Sequence, residues 1–151
     1  MTSEFTMGLH VLGFLTARQG EPLTSEVLAK TYGTSPVVLR RVLGKLRQAG
    51  LVATRRGAGG GSVLARAPSE ISLFDVYAAL TDKPALLPRH PGEDAGPARV
   101  LAAYINDIYA DAEAALLDRL AAVSIEQMDT EVRPEICAAL EESQLVAANR
   151  A

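Results

Sequence analysis

Apolar residues in the first fifty positions recur three and four apart, the period of helices that bury one face. Phe5, Gly8, Leu9, Leu12 and Leu15 predict a helix over residues 4–18, ended by Gln19-Gly20-Glu21-Pro22. Thr24 is an N-cap residue for a second, short helix with Val27, Leu28 and Tyr32 turned inward. After a turn at Tyr32-Gly33-Thr34, Ser35-Pro36 pairs an N-cap with a proline at the first helical position, where its missing N–H costs nothing. This third helix is expected to run to about Ala49, with Gly50 closing it.

The period then changes. Residues 51–55 and 62–66 are short runs on either side of a glycine loop and predict a hairpin. Ser72 and Asp75 have capping-box spacing and open a helix with Val76, Ala79 and Leu80 behind them. Residues 81–96 hold Pro84, Pro88 and Pro91 and read as a loop or hinge. From Pro97 to about Val123 one long helix is expected, with Leu101, Ile105, Ile108, Ala112 and Ala115 forming a coiled-coil-like seam and Asp107, Asp111 and Asp118 outside it. Ser124-Ile125-Glu126-Gln127 has the spacing to cap a short helix, and Pro134 is expected to open a last one to about Ala148. The expected fold class is mainly α with a small β-hairpin wing. It divides into a winged helix-turn-helix domain over residues 1–80, a Pro-rich hinge over 81–96, and a dimerisation helix with C-terminal helices over 97–151.

The third helix has two unlike faces. Val38, Leu39, Val42, Leu43 and Leu46 form an apolar stripe; Val37, Arg40, Arg41, Gly44, Lys45 and Gln48 form the other face, basic and without an acid. A merely solvated face mixes signs, because Glu–Lys pairs stabilise it. The overall charge of −3 hides the same asymmetry: residues 1–66 carry nine Lys and Arg against three acids, and residues 67–151 carry six against fifteen. A basic head on an acidic body is the footprint of nucleic-acid binding.

Arg55-Arg56-Gly57-Ala58-Gly59-Gly60-Gly61 poses the choice between a nucleotide's phosphates and those of a nucleic-acid backbone. No lysine follows the glycines as a P-loop requires, and Ser62 stands where a dinucleotide fingerprint needs its third glycine, ahead of a strand and not a helix. A hairpin tip explains the run better. Glycine permits the positive φ of a tight turn and lets the backbone approach another surface, while the two arginines supply charge for phosphates or a narrow minor groove. Ser35, Val37, Arg40, Arg41 and Lys45 on the third helix, with Arg55, Arg56, Gly59 and Gly60 on the wing, are the candidate DNA-binding residues.

Composition narrows the remaining classes. One cysteine, Cys137, excludes an intramolecular disulfide and any all-cysteine cluster site. The start MTSEFTMGLH lacks the pattern of a signal peptide, and no apolar run approaches a bilayer span, so a cytoplasmic protein without a membrane partner is expected. No Ser/His/Asp grouping or convincing carboxylate pair appears, and no enzyme is expected. A winged-helix module that binds protein instead of DNA is the alternative, and it would show exposed aromatics or mixed charge on the third helix.

Residues 35–80 resemble the IscR/NsrR type of bacterial winged-helix regulator, the Rrf2 family. The resemblance rests on Leu46-Arg47-Gln48-Ala49-Gly50-Leu51-Val52, the wing Arg56-Gly57-Ala58-Gly59-Gly60-Gly61, and Pro68-Ser69-Glu70-Ile71-Ser72-Leu73-Phe74-Asp75-Val76. In order of elements it extends over about residues 5–130. It implies a repressor that binds a partly palindromic operator as a homodimer built on the long helix. It also implies that Val37, Arg40 and Arg41 stand where such proteins read bases, and Arg56 where they reach the minor groove.

The chain departs from that pattern in one respect. Members that sense iron–sulfur clusters, nitric oxide or oxidants do so through cysteines between the wing and the dimer helix, and residues 80–101 contain none. No iron–sulfur cluster, other cofactor or metal is therefore expected. Cys137, within Ile136-Cys137-Ala138-Ala139-Leu140, reads as a small buried hydrophobe, and His10 as a packed or partly exposed histidine. His90, between Pro88 and Pro91, is the candidate for an effector loop, although a solvated loop histidine is the plainer reading. The effector itself is not legible.

Overall fold

A computed structural model describes residues 3–18, 20–81 and 96–134. Five helices carry the chain to Ala121: α1 (Ser3–Ala17), α2 (Ser25–Tyr32), α3 (Pro36–Gln48), α4 (Leu73–Leu80) and α5 (Gly96–Ala121); a sixth, α6, includes residues 125–134. Two antiparallel strands, β1 (Val52–Arg55) and β2 (Gly61–Leu64), stand between α3 and α4, paired from Val52 with Leu64 to Arg55 with Gly61.

Local signals set the helix starts. Thr24 Oγ1 accepts from the Val27 amide, and Ser35 Oγ accepts from the Val38 amide with Pro36 opening α3. At α4 the capping box is complete: the Asp75 amide donates to Ser72 Oγ at 3.1 Å, and the Ser72 amide donates to Asp75 Oδ2 at 2.9 Å. Ser124 and Gln127 repeat the arrangement ahead of α6, at 3.1 and 2.9 Å. The last carbonyls of α3 are closed by the Gly50 amide on Arg47 and the Leu51 amide on Leu46.

One core joins these elements. Val11, Leu12 and Leu15 of α1, Leu28 of α2, and Leu39, Val42, Leu43 and Leu46 of α3 meet Leu51, Ile71, Val76, Leu80 and Ile125, all buried. Gly8 lets α1 cross close to α4, since a Cβ there would stand 2.3 Å from Leu80 Cδ1 and 3.1 Å from Val76 Cγ1.

Several expectations change. Val27 is not inward but 47% exposed, and Ala29 takes the buried place beside Leu28. The strands are each one residue shorter than expected, and β2 gains a second neighbour: Leu23 and Ser62 exchange both backbone bonds, at 3.0 and 2.8 Å, adding a one-residue third strand to the hairpin. A second bridge pairs Ser72 with Ser124, the Leu73 amide donating to the Val123 carbonyl and the Ile125 amide to the Ile71 carbonyl. Pro134 does not begin a helix: the backbone is already helical through it, at the cost of the amide bond a proline cannot make. His90, Cys137 and the remainder of 82–95 and 135–151 lie outside the described residues.

The Leu23–Ser62 bridge depends on the absence of a side chain at Gly61, where a Cβ would stand 2.6 Å from the Leu23 carbonyl oxygen. Backbone cannot yield as a flexible side chain can. Gly61→Ala is expected to destabilise the fold by about 1–3 kcal/mol, the usual scale of overpacking, as measured by urea denaturation. Unchanged stability would mean that the bridge contributes nothing.

Candidate nucleic-acid interface

Burial of the α3 stripe decides what the opposite side presents. With Leu39, Val42, Leu43 and Leu46 in the core, Val37, Arg40 and Arg41 project outward, and Val37 is 72% exposed. Ser35 lies at the same end of the helix as its N-cap, exposed. An exposed valine beside two arginines on the first turns of a helix combines an apolar contact of the kind thymine methyls accept with donors matched to guanine. Among the described residues this face carries no aromatic side chain, as a protein-binding face would.

The face is not free of acid in three dimensions, as its own sequence implies. Arg40 Nε donates to Ser25 Oγ at 3.2 Å, and its Nη2 donates to Glu26 Oε1 at the start of α2. Arg41 Nη2 meets Glu4 Oε1 on α1, and Lys45 Nζ meets Glu4 Oε2 at 3.1 Å. Lys45 is thus half-buried against α1 and less open than its place on the outer face predicts. The Arg40 guanidinium, by its hydrogen bond, holds the Glu26 carboxyl below its usual range, with smaller contributions from its own backbone and Ser25. Glu26 therefore stays ionised throughout the neutral range, and the pair loosens only as pH falls through that lowered value. Two of the three acids of residues 1–66 are spent on α3. The spacing rules that read a single helix could not find them, because they come from other elements.

The wing stands beside α3 because only Ala49, Gly50 and Leu51 separate the helix from β1. Arg47 Nη1 donates to Thr54 Oγ1 at 3.0 Å across this junction. Gly57 and Gly59 take φ of +99° and +73° at the tip, which explains the glycines there. Gly60 is needed for space, since a Cβ would stand 2.4 Å from the Arg55 carbonyl oxygen. Arg55 and Arg56 are exposed, and among the described residues no ion pair holds either.

The candidate dimer residues lie on α5. Ala102 and Leu120 are its buried residues, whereas Leu101 and Ile108 are 55% and 48% exposed, Ala112 and Ala115 are exposed, and Ile105 is half-buried. A separate groove of about 610 Å³ runs between α1, α2 and α6, with Leu9, Phe14, Val27, Met128 and Val132 in its walls. His10 lies at this groove with its ring 5.2 Å from that of Tyr32.

Among the described residues no three His, Cys, Asp or Glu side chains converge as a metal site requires. The full chain offers one thiol and two imidazoles, 80 positions apart at His10 and His90, a donor set that does not fit a cysteine-held iron cluster.

A family model described as "Rrf2: Iron-dependent Transcriptional regulator" matches residues 1–131. The chain is 26% identical over 130 residues to the HTH-type transcriptional regulator YwnA of Bacillus subtilis, covering 85% of this chain and 96% of that protein. It is 37% identical over 83 residues to the HTH-type transcriptional regulator NsrR of Bacillus subtilis, covering 54% of this chain and 57% of that one. Among solved structures, CymR (YrzC), the global cysteine regulator of B. subtilis, superposes with a TM-score of 0.71 at 25% identity, over 87% of this chain and 96% of CymR. T. potens IscR shares the fold, with a TM-score of 0.69 at 22% identity over 87% of each chain. With its wing, its exposed α3 face and this match over most of its length, the chain belongs to the Rrf2 family, as a DNA-binding transcription regulator and not an enzyme.

Proposed function

We propose that the protein is a repressor that binds a partly palindromic operator as a homodimer, with α3 in the major groove and the wing against the backbone or minor groove. The observation that carries this reading is the outward set of Val37, Arg40 and Arg41, framed by the exposed Arg55 and Arg56. In this arrangement Val37, Arg40 and Arg41 read base edges. Ser35, Lys45, Arg55 and the wing backbone at Gly59 and Gly60 track phosphates, and Arg56 enters the minor groove. Repression is the mode the family resemblance implies. The reading requires neither an iron–sulfur cluster nor a membrane partner; among the described residues no helix is long and apolar enough to cross a bilayer. A cytoplasmic location follows from a DNA partner.

Homodimerisation is supported by α5. A helix of 26 residues, about 39 Å long, leaves Leu101, Ile108, Ala112 and Ala115 uncovered along one seam, with Ile105 partly covered. A contiguous apolar strip of this kind marks an association surface. The reading keeps residues 1–80 as the winged helix-turn-helix and 97–151 as the dimerisation part, with Leu120 and Ile125 packed into the same core as the winged helix.

Two measurements test the proposal. On an operator selected from random duplexes, Arg40→Ala or Arg41→Ala is expected to weaken binding by about 1–3 kcal/mol where the arginine reads a base, and to relax preference at one position. Arg56→Ala is expected to weaken binding most where the flanks are A·T-rich, and each lost phosphate contact should lower the salt slope by about one. Fluorescence anisotropy across several salt concentrations reads all three; wild-type affinity in every variant would remove residues 35–66 from the DNA-binding surface. Ile108→Asp is expected to give a monomer or an unfolded chain by sedimentation, and a stable dimer of this variant would exclude the α5 interface.

A further inference from the structure

Arg40 cannot be judged as a free cation. Two of its nitrogens are engaged by the start of α2, Nε with Ser25 Oγ and Nη2 with Glu26 Oε1. Among the described residues Nη1 has no partner, so the guanidinium is held along one edge and offers another outward. The arginine side chain is 55% exposed and that of Glu26 60% exposed, so Glu26 shares the surface from which Arg40 projects.

This placement has two opposite effects on DNA. A guanidinium fixed on one edge loses less freedom when its open edge meets a base, because planar recognition needs a defined orientation. The carboxylate that fixes it is a negative charge beside the phosphate path, where the first helix of a helix-turn-helix crosses the backbone. A duplex that gives Arg40 a suitable base gains the first effect and offsets the second. A duplex that offers only phosphates meets the repulsion with no compensation. Discrimination between partners comes from such a repulsive element as much as from an attractive one.

We propose that Glu26 is a specificity-determining residue, which positions Arg40 for base reading and penalises DNA that offers only its backbone; this rests on α3 being the DNA-reading helix. Glu4 stands differently. It is 16% exposed and shared between Arg41 and Lys45, so it ties α3 to α1 and faces solvent far less.

The experiment measures the affinities of the full chain for its selected operator and for an unrelated duplex of equal length, at one salt concentration. In Glu26→Gln the unrelated duplex is expected to bind more tightly and the operator to bind equally or more weakly, so that their ratio falls about ten-fold. In an Arg40→Ala background the same change is expected to leave the ratio unaltered, because the coupling runs through Arg40. Glu21→Gln removes the third acid of residues 1–66, which pairs with Arg18 at 3.9 Å and, among the described residues, forms no ion pair with α3, and it should leave the ratio unaltered in the wild-type background. A parallel rise in both affinities for Glu26→Gln, an equal fall in the ratio for Glu21→Gln, or a persistent fall without Arg40 would each overturn the proposal. A wild-type protein that prefers no duplex over another would instead overturn the DNA-reading role of α3 itself.

Discussion

The structure depends on the burial of one stripe of α3. Leu39, Val42 and Leu46 are wholly enclosed and Leu43 nearly so, and each contributes about 1.5–3 kcal/mol by leaving water. That sum is comparable with the whole net stability of a small domain. A helix buried along one stripe has no rotational freedom left, so the direction in which Val37, Arg40 and Arg41 point is set by leucines on the far side. The geometry of the proposed recognition residues is a consequence of core packing.

The rest of the winged helix is held to that helix by short backbone links. Three residues carry α3 into β1, and Leu23 clasps β2 from the segment before α2. Wing and helix are therefore two faces of one rigid unit. The Ser72–Ser124 bridge gives α4 and the end of α5 a similar connection, so the helix proposed for dimerisation is joined to the DNA-binding domain through backbone as well as side chains.

What was legible in the sequence was local. Caps at Thr24, Ser35, Ser72 and Ser124 act within four residues, and the apolar stripe of α3 repeats within its own thirteen. The glycine run announced the wing for the same reason, since a tight tip imposes its chemistry on adjacent positions. What escaped was set by distant partners. Val27 faces a groove completed by α6, Leu23 becomes a strand only when Ser62 arrives, and the acids opposite Arg40 and Arg41 lie 14 and 37 positions away along the chain. Pro134 escaped because an isolated proline carries the same local signature at the start of a helix and near its end.

The tip of the wing has a consequence for how this protein could change its preferences. Gly57 and Gly59 are fixed by their positive φ, and Gly60 and Gly61 by the backbone that a Cβ would strike. Between Arg55 and Ser62 this leaves Arg56 and Ala58, both exposed, as the two positions open to substitution without a folding penalty. Divergence of groove preference among close descendants of this chain would thus be channelled into those two sites, while the shape of the loop stays constant.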